Sequence, residues 1–433
     1  MKKTICAVLI LSLFLVSCSG PVEENEAGQP NTPPAPDFTT SEYLPEYDCP
    51  DYAPARVGAP FGFSLYNGHA FFTGIKDTEN TYKYYTELGS GVNYAFCAKP
   101  ECTHDSKDCQ AYSTNSAISY YDGNFYYLSP VPSRSPAYPG QEETVIIKRP
   151  ADGSAQTVAK YVHDDEVYSS HNGSFESRFI HRGFYYRIGS QNIVVDSVPK
   201  KQFYILSCPI SFEKNFQVLY EEEYTGSETL YVRAVGSSIY ILTYRSEQGT
   251  YDTLLRRFDT AANTLETLYS SSERSNIYDL HVESDGTIYI SAGINGEGCG
   301  IYRLKDRALE KLYGNPETPP AGIFICNGVT VSITNYNPET YSWNTIIRDF
   351  EGKVLYEGEL SGRFTREYRE KYQNAGTRVS ATMFITSYFF GDKDAVNMVI
   401  SCSVGTGRGT AVVKYDISET RLTESLLFYF DLR

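Results

Sequence analysis

Helix-forming material is scarce in this chain: it has three methionines and one tryptophan, and few alanine-rich stretches with helical periodicity. That scarcity argues against a helical body. Catalytic signatures are missing too. No G-x-S-x-G elbow, H-E-x-x-H pair or P-loop occurs, so the common serine hydrolases, zinc proteases and phosphate-cradling enzymes lose sequence support. His69, His171, His181 and His281 have no spacing that pairs them. Basic charge is also short. Against 53 Asp and Glu stand 38 Lys and Arg, a formal charge of −15, and such a body is repelled by nucleic acid and by anionic lipid.

The beginning of the chain carries the most specific local signal. Lys2 and Lys3 precede an apolar stretch from Ile5 to Val16, followed by Leu15-Val16-Ser17-Cys18-Ser19-Gly20. The apolar stretch is shorter than the roughly 20 residues of a membrane-spanning helix, and it reads as a signal peptide over residues 1–17. Leu15 to Gly20 resembles the lipobox of bacterial lipoprotein precursors, and the competing reading is an ordinary secretion signal with a chance cysteine. The resemblance implies diacylation of Cys18, which becomes the new N-terminus on the extracytoplasmic face of the cell membrane. Two acyl chains anchor stably where one binds only marginally. Residues 18–45 are rich in Pro, Glu, Asn and Thr and offer almost nothing to bury, the composition of a flexible tether.

The body, residues 46–433, is rich in rings: the whole chain has 38 Tyr and 23 Phe. Aromatic residues suit pleated, half-buried surfaces. A body of this length invites a search for an internal period. Turn residues followed by apolar alternation recur at Tyr66-Asn67-Gly68-His69-Ala70-Phe71-Phe72, Tyr121-Asp122-Gly123-Asn124-Phe125-Tyr126-Tyr127, His181-Arg182-Gly183-Phe184-Tyr185-Tyr186, Val235-Gly236, Asp285-Gly286 and Asn327-Gly328, and more loosely at Gly391-Asp392. Each reads as a hairpin, and second hairpins follow near Lys148-Arg149, Arg256-Arg257, Arg303-Leu304 and Lys414-Tyr415. Two hairpins make a four-stranded sheet that cannot cover its own faces. Stacking such sheets around an axis covers them, so the expected fold is all-β, a β-propeller of about seven four-stranded blades. Two tandem sandwiches would require a mid-chain linker and a break in the repeat, and neither is present.

The first unit contains Cys97-Ala98-Lys99-Pro100-Glu101-Cys102-Thr103-His104-Asp105-Ser106-Lys107-Asp108-Cys109. Three thiols and one imidazole are what a tetrahedral Zn²⁺ site requires, although C-x4-C-x-H-x4-C is not a common finger spacing. Asp105 and Asp108 are available to support the ligands. A disulfide, Cys97 or Cys102 with Cys109, is the main alternative in an exported protein, and a reduced metal-free loop is the third. Cys49, Cys208, Cys299, Cys326 and Cys402 read as small buried hydrophobes, with a distant partner for Cys49 left open. Gly405-Thr406-Gly407-Arg408-Gly409 reads as a loop, Asp392, Asp394 and Asn397 as a solvated turn rather than a Ca²⁺ site, and His163-Asp164-Asp165 as a loop rather than a metal site.

Taken together, the Gly-x-x-Tyr-Tyr units, the lipobox, the Pro-rich tether and the cysteine cluster resemble a family of lipoprotein β-propellers from Gram-positive bacteria, of unknown function. The resemblance covers nearly all of the mature chain. It implies an extracytoplasmic binding or scaffold role with no catalytic residues to carry over. The expected site is the axial mouth of the propeller, holding a peptide, glycan or envelope-protein ligand, and structural zinc at the cysteine cluster is the cofactor to look for, with the disulfide as its alternative. The alternative is an extracytoplasmic glycan lyase or hydrolase with paired carboxylates on the loops of one propeller face. Cys18→Ala should release the protein from the membrane fraction and abolish incorporation of labelled fatty acid. Continued labelling of that variant would refute the lipobox assignment.

Overall fold

The computed structural model describes residues 63–432 except 76–80, 91, 114–117, 135–140, 172, 174, 296–297, 315–321, 338, 340–341, 361–365, 368–369, 371–383, 405–406 and 419–420. The expected signal peptide, Cys18, the tether and Cys49 lie outside the described residues. Residues 63–432 form a seven-bladed β-propeller of antiparallel sheets.

Blade 1 contains β1 (Phe63–Tyr66), β2 (His69–Ile75), β3 (Thr81–Glu87), β4 (Asn93–Ala95) and β5 (Tyr112–Ser113), and blade 2 contains β6 (Ser119–Tyr121), β7 (Asn124–Pro132), β8 (Glu142–Pro150) and β9 (Thr157–Tyr161). A short helix, α1 (Glu166–Ser170), leads into blade 3, which comprises β10 (Phe175–His181), β11 (Phe184–Val195), β12 (Val198–Pro209) and β13 (Gln217–Tyr224). Blade 4 follows as β14 (Ser227–Val235), β15 (Ser238–Glu247), β16 (Thr250–Asp259) and β17 (Thr264–Ser271), and blade 5 as β18 (Ser275–Val282), β19 (Ile288–Ile294), β20 (Gly300–Lys305) and β21 (Ala308–Gly314). Blade 6 is β22 (Gly322–Cys326), β23 (Val329–Asn337), β24 (Ser342–Asp349) and β25 (Val354–Leu360), and blade 7 is β26 (Phe384–Gly391), β27 (Ala395–Val404), β28 (Gly407–Ser418) and β29 (Arg421–Leu432). Each sheet runs in chain order, and the first strands of successive blades are neighbours.

The recurring turn works as its chemistry requires. Asn67 and Gly68 have φ of 48° and 73°, and Asp122 and Gly123 have 45° and 71°. Positive φ at both central residues is the tight hairpin turn that matches the twist of the flanking strands. It pairs Tyr66 with His69 and Tyr121 with Asn124. The two rings that follow then point to opposite faces, because side chains alternate along a strand. Phe71 packs toward blade 2 while Phe72 packs toward blade 7. Likewise Tyr127 faces blade 1 and Tyr126 blade 3, and Tyr185 faces blade 2 and Tyr186 blade 4.

An apolar cluster lies at every blade junction, from blades 1 and 2 round to blades 7 and 1. Burying one phenylalanine at such a junction contributes about 1.5–3 kcal/mol. Cys208, Cys299 and Cys326 are buried members of these clusters, as expected of small hydrophobes, and the Cys402 side chain lies outside the described residues. Polar bonds add register between blades. Asp279 of β18 pairs with Arg233 of β14 at 3.0 Å, and its second oxygen accepts the Ile325 amide of β22 at 3.1 Å, so one buried carboxylate ties three blades together. Among the described residues the ring closes without strand exchange. Blade 7 is built wholly from the C-terminal segment and meets blade 1 through Phe63 and Phe390, whose rings are 5.6 Å apart, and through the Gly89 amide, which donates to the Leu427 carbonyl at 2.7 Å.

Three local expectations are refined. Gly407, Arg408 and Gly409, expected in a loop, belong to β28 because they pair with β27, and 405–406 lie outside the described residues. Asp392 is a solvated turn residue whose Oδ1 accepts the Asp394 and Ala395 amides. His163 and Asp164 form a single helical turn, and Asp165 caps α1 and pairs with Lys160 at 3.1 Å. Asp279→Ala leaves Arg233 buried without its carboxylate and should destabilise the propeller by about 3–5 kcal/mol. The denaturation midpoint in urea checks this; an unchanged midpoint would remove the inter-blade role.

Candidate metal centre and adjoining pocket

The cysteine cluster sits where one strand is interrupted. β3 pairs with β4 from Tyr84↔Ala95 to Thr86↔Asn93, and with β5 through Tyr82↔Tyr112 and Thr81↔Ser113. β4 and β5 are therefore two halves of the outer strand of blade 1. Between them the chain leaves the sheet as a loop, Cys97–Gln110, and both ends of that loop are fixed by one residue. The Lys83 amide donates to the Ala111 carbonyl at 2.7 Å, and the Lys83 carbonyl accepts the Phe96 amide at 2.8 Å.

The loop is folded by two turns and a backbone inversion. Turns close from Lys99 to Cys102 and from Ser106 to Cys109, each with a 3.1 Å amide-to-carbonyl bond. His104 has φ of 56°, a left-handed conformation that non-glycine residues adopt only when their surroundings impose it. The result is convergence: the Sγ atoms of Cys97, Cys102 and Cys109 and a ring nitrogen of His104 lie within 4.8 Å of one another. His104 Nδ1 and Cys109 Sγ are 3.4 Å apart. In a zinc tetrahedron with bonds of about 2.0–2.3 Å the donors stand about 3.3–3.8 Å apart, so the cluster is close to that geometry.

The thiols do not behave alike. Burial pushes the Cys97 thiol up, but hydrogen bonds from the Lys99 and Gln110 amides and from the Cys109 and Cys102 thiols outweigh it and leave Cys97 below its ordinary value. Cys109, more deeply buried, is pushed up to about 12 despite the Ala111 amide. One thiol favours ionisation and another resists it, an uneven trio that a dication would even out by deprotonating all three. All three are free thiols in the structure. Asp105 accepts the Thr103 hydroxyl at 2.5 Å, while Asp108 contributes its backbone carbonyl to Lys99 at 3.4 Å.

Next to the cluster, at the junction of blades 1 and 2, lies a cavity of about 280 Å³. Its walls include Tyr66, Phe71, Tyr85 and Phe96, with His69, Cys97, Arg149 and Asp152. The walls are braced from behind: Tyr66 stacks on Tyr120 at 4.1 Å, Phe71 lies 4.0 Å from Phe125, and Phe71 meets Phe96 edge-on at 5.3 Å. The Arg149 guanidinium lies 3.7 Å from the centre of the Phe96 ring and donates to the Phe96 carbonyl. Asp152, in the β8–β9 turn, accepts the Ser154 amide, which holds its carboxyl below the usual range and keeps it ionised. Lys83 is fully buried on the same side of β3 as Tyr85; burial pushes its ammonium well below the ordinary lysine value, and it donates to Thr73 at 2.5 Å.

The sequence located the cluster but not this pocket. Arg149 carried a signal, since it falls in the same alternating register as Val145 and Ile147, both buried against blade 1. A charge in an apolar row marks a special position. The remaining histidines do not converge: His69 Nδ1 donates to the Asn67 carbonyl at 2.8 Å in blade 1, His171 contacts Glu221 at 2.6 Å in blade 3, His181 contacts the Gly236 carbonyl at 2.7 Å, and His281 contacts Glu283 at 3.0 Å in blade 5.

No family model matches the chain, and no curated protein matches it. Solved structures align with the chain at low identity. An acylaminoacyl peptidase from Pyrococcus horikoshii aligns with a TM-score of 0.47 and 10% identity over 87% of this chain, which spans only 54% of the peptidase. An ulvan lyase of polysaccharide lyase family 25 aligns at 0.42 with 11% identity, covering 87% of this chain and 97% of the lyase. An oligogalacturonate lyase solved with manganese aligns at 0.43 with 8% identity, covering 84% and 86%. At these identities and TM-scores the likeness says nothing of activity, substrate or cofactor.

Replacing Cys102 by Ser should loosen the loop while sparing the blades. Amides between 97 and 110 should exchange at least roughly tenfold faster, with the inter-blade strands unchanged. Uniform acceleration, or none, would remove the stapling role.

Proposed function

We propose that the protein is a lipid-anchored extracytoplasmic binding protein, non-catalytic, whose propeller is locked in blade 1 by a structural zinc ion on Cys97, Cys102, His104 and Cys109. The observation that carries the proposal is the convergence of those four donors within 4.8 Å at an interruption in a strand. Thiolates and imidazole are the ligands zinc prefers, and four protein ligands close its tetrahedron. A closed site leaves no position for a reactive water, so zinc bound there serves architecture.

The loop supports this reading by what it lacks. Its apolar cluster holds, besides the cysteines, Tyr82, Ala111 and Tyr112, with Tyr84 and Ala95 packed against it, a small core for an excursion of that length. Beside it, the pocket between blades 1 and 2 supplies rigid aromatic walls with a few polar groups, the usual make-up of a binding site. A lipid on Cys18 and the tether of residues 18–45 would present that pocket to the outside of the cell membrane. The strongly acidic composition makes a nucleic-acid partner unsuitable.

The full chain, extracted from cell envelopes under reducing conditions, should contain about one zinc per molecule by elemental analysis and leave polysaccharides and peptides uncleaved. A disulfide from Cys97 or Cys102 to Cys109 with no metal would overturn the zinc assignment. Sustained turnover of either polymer would overturn the non-catalytic role.

A further inference from the structure

Arg149 differs in what it faces from four other buried arginines. Arg187 pairs with Glu176, Arg233 with Asp279, Arg245 with Glu222 and Glu228, and Arg256 with Glu222. Arg149, only 1% exposed, pairs with no carboxylate among the described residues; it donates to the Phe96 carbonyl and meets the Tyr127 hydroxyl, and its Nε, like those of Arg187, Arg233 and Arg256, finds no acceptor. No hydrogen bond joins it to a thiol of the neighbouring cluster among the described residues. A buried cation without a paired anion is costly unless something supplies the charge. Arg149 also lines the pocket.

The rest of the pocket narrows what that anion is attached to. Tyr66, Phe71, Tyr85 and Phe96 offer flat apolar faces, which suit the C–H face of a ring. Such a cage without a cation would suit a quaternary ammonium, but the guanidinium opposes one. Asp152 is ionised at the mouth, which disfavours a dianion such as phosphate and provides an acceptor for hydroxyl groups. One oxygen of Asp152 is taken by the Ser154 amide, and the other can receive a hydroxyl. A volume of about 280 Å³ holds a single ring unit rather than a folded segment.

A flat ring that carries one carboxylate and several hydroxyls satisfies all of these conditions together. We infer that the pocket between blades 1 and 2 binds a hexuronate unit of an acidic polysaccharide, its carboxylate on Arg149, its C–H face on the aromatic wall and a ring hydroxyl on Asp152. The inference rests on the binding role proposed above and names its ligand. Arg149 is the group that selects charge, and Asp152 selects hydroxyls.

The test is a titration of the full zinc-loaded chain with galacturonate and glucuronate oligosaccharides, by calorimetry and saturation-transfer NMR. Neutral galactose and glucose oligomers, choline, inorganic phosphate and a short peptide with a free C-terminal carboxylate serve as controls. Uronate oligomers should bind at least tenfold more tightly than each control. Arg149→Gln should abolish that preference. Because that variant removes a buried group, Asp152→Asn at the exposed turn provides a second reading, with at least a threefold loss of uronate affinity and an unchanged melting temperature. Equal affinity for neutral sugars, preference for any other control, no binding, or an Asp152→Asn variant with undiminished affinity would each overturn the inference. Zinc content measured on the same samples keeps the metal assignment separate. Uronate binding accompanied by cleavage would uphold the ligand while defeating the non-catalytic role.

Discussion

Two-sided burial of a strand is the constraint on which the rest of this molecule depends. In a sheet with one wet face, apolar residues alternate with polar ones. Here the second strand of blade 2 buries Phe125, Tyr126, Tyr127 and Leu128 in succession. Such a run is stable only if a separate neighbour covers each face. Phe125 and Tyr127 are covered by blade 1, and Tyr126 and Leu128 by blade 3. The adjacent ring pair in the repeat is thus a statement about both neighbours at once, and a ring of blades is the arrangement that gives every copy two.

That logic explains how much of the fold could be read from the chain and where reading stopped. The turn followed by an apolar strand recurs at nearly every blade, with paired rings in blades 1 to 3, so an error at one copy is corrected by the others. Six blades are plain meanders and match the expected two hairpins, while the first carries a broken fourth strand. Nothing in residues 93–113 announces that Asn93–Ala95 and Tyr112–Ser113 belong to one edge, because the pieces are short and their common partner lies upstream in β3. The four ligands were legible because thiols and an imidazole crowd a short segment. The pocket was not, since Tyr66, Tyr85, Phe96 and Arg149 are scattered through two blades and meet only through stacking. Tyrosine abundance hid the lining further, as a ring in a pocket wall looks the same in sequence as a ring at a blade junction.

Charge follows a similar division between architecture and site. Most buried arginines meet carboxylates across or within blades, and such pairs fix register more than they add stability, because desolvation offsets much of the attraction. Asp279 shows the gain in specificity: it binds a guanidinium from the preceding blade and an amide from the following one, so both neighbours must be in place before it is satisfied. Arg149 stands outside this scheme. A positive charge placed among rings, beside a cavity and without a carboxylate, has features of a recognition group more than of a register pin.

The placement of the cysteine loop also follows from how the ring closes. Many rings can be closed by sharing a strand between the chain's two ends; here, among the described residues, blade 7 takes its four strands from 384–432 alone, and blades 7 and 1 are joined by packing around Phe63, Phe72 and Phe390 and by the bond from Gly89 to Leu427. Among the described residues no chain connection links blade 1 to blade 7, so their junction has the fewest covalent constraints. Blade 1 is also the blade whose outer strand is cut by an excursion. Rigidity of β3 matters to both, because Lys83 fixes the two ends of the loop while Tyr84, on the opposite face, packs into the closing cluster. A tetrahedral ion at the base of the loop would hold the two half-strands against β3, and in doing so would stiffen the closing junction and the Phe96 wall of the pocket together.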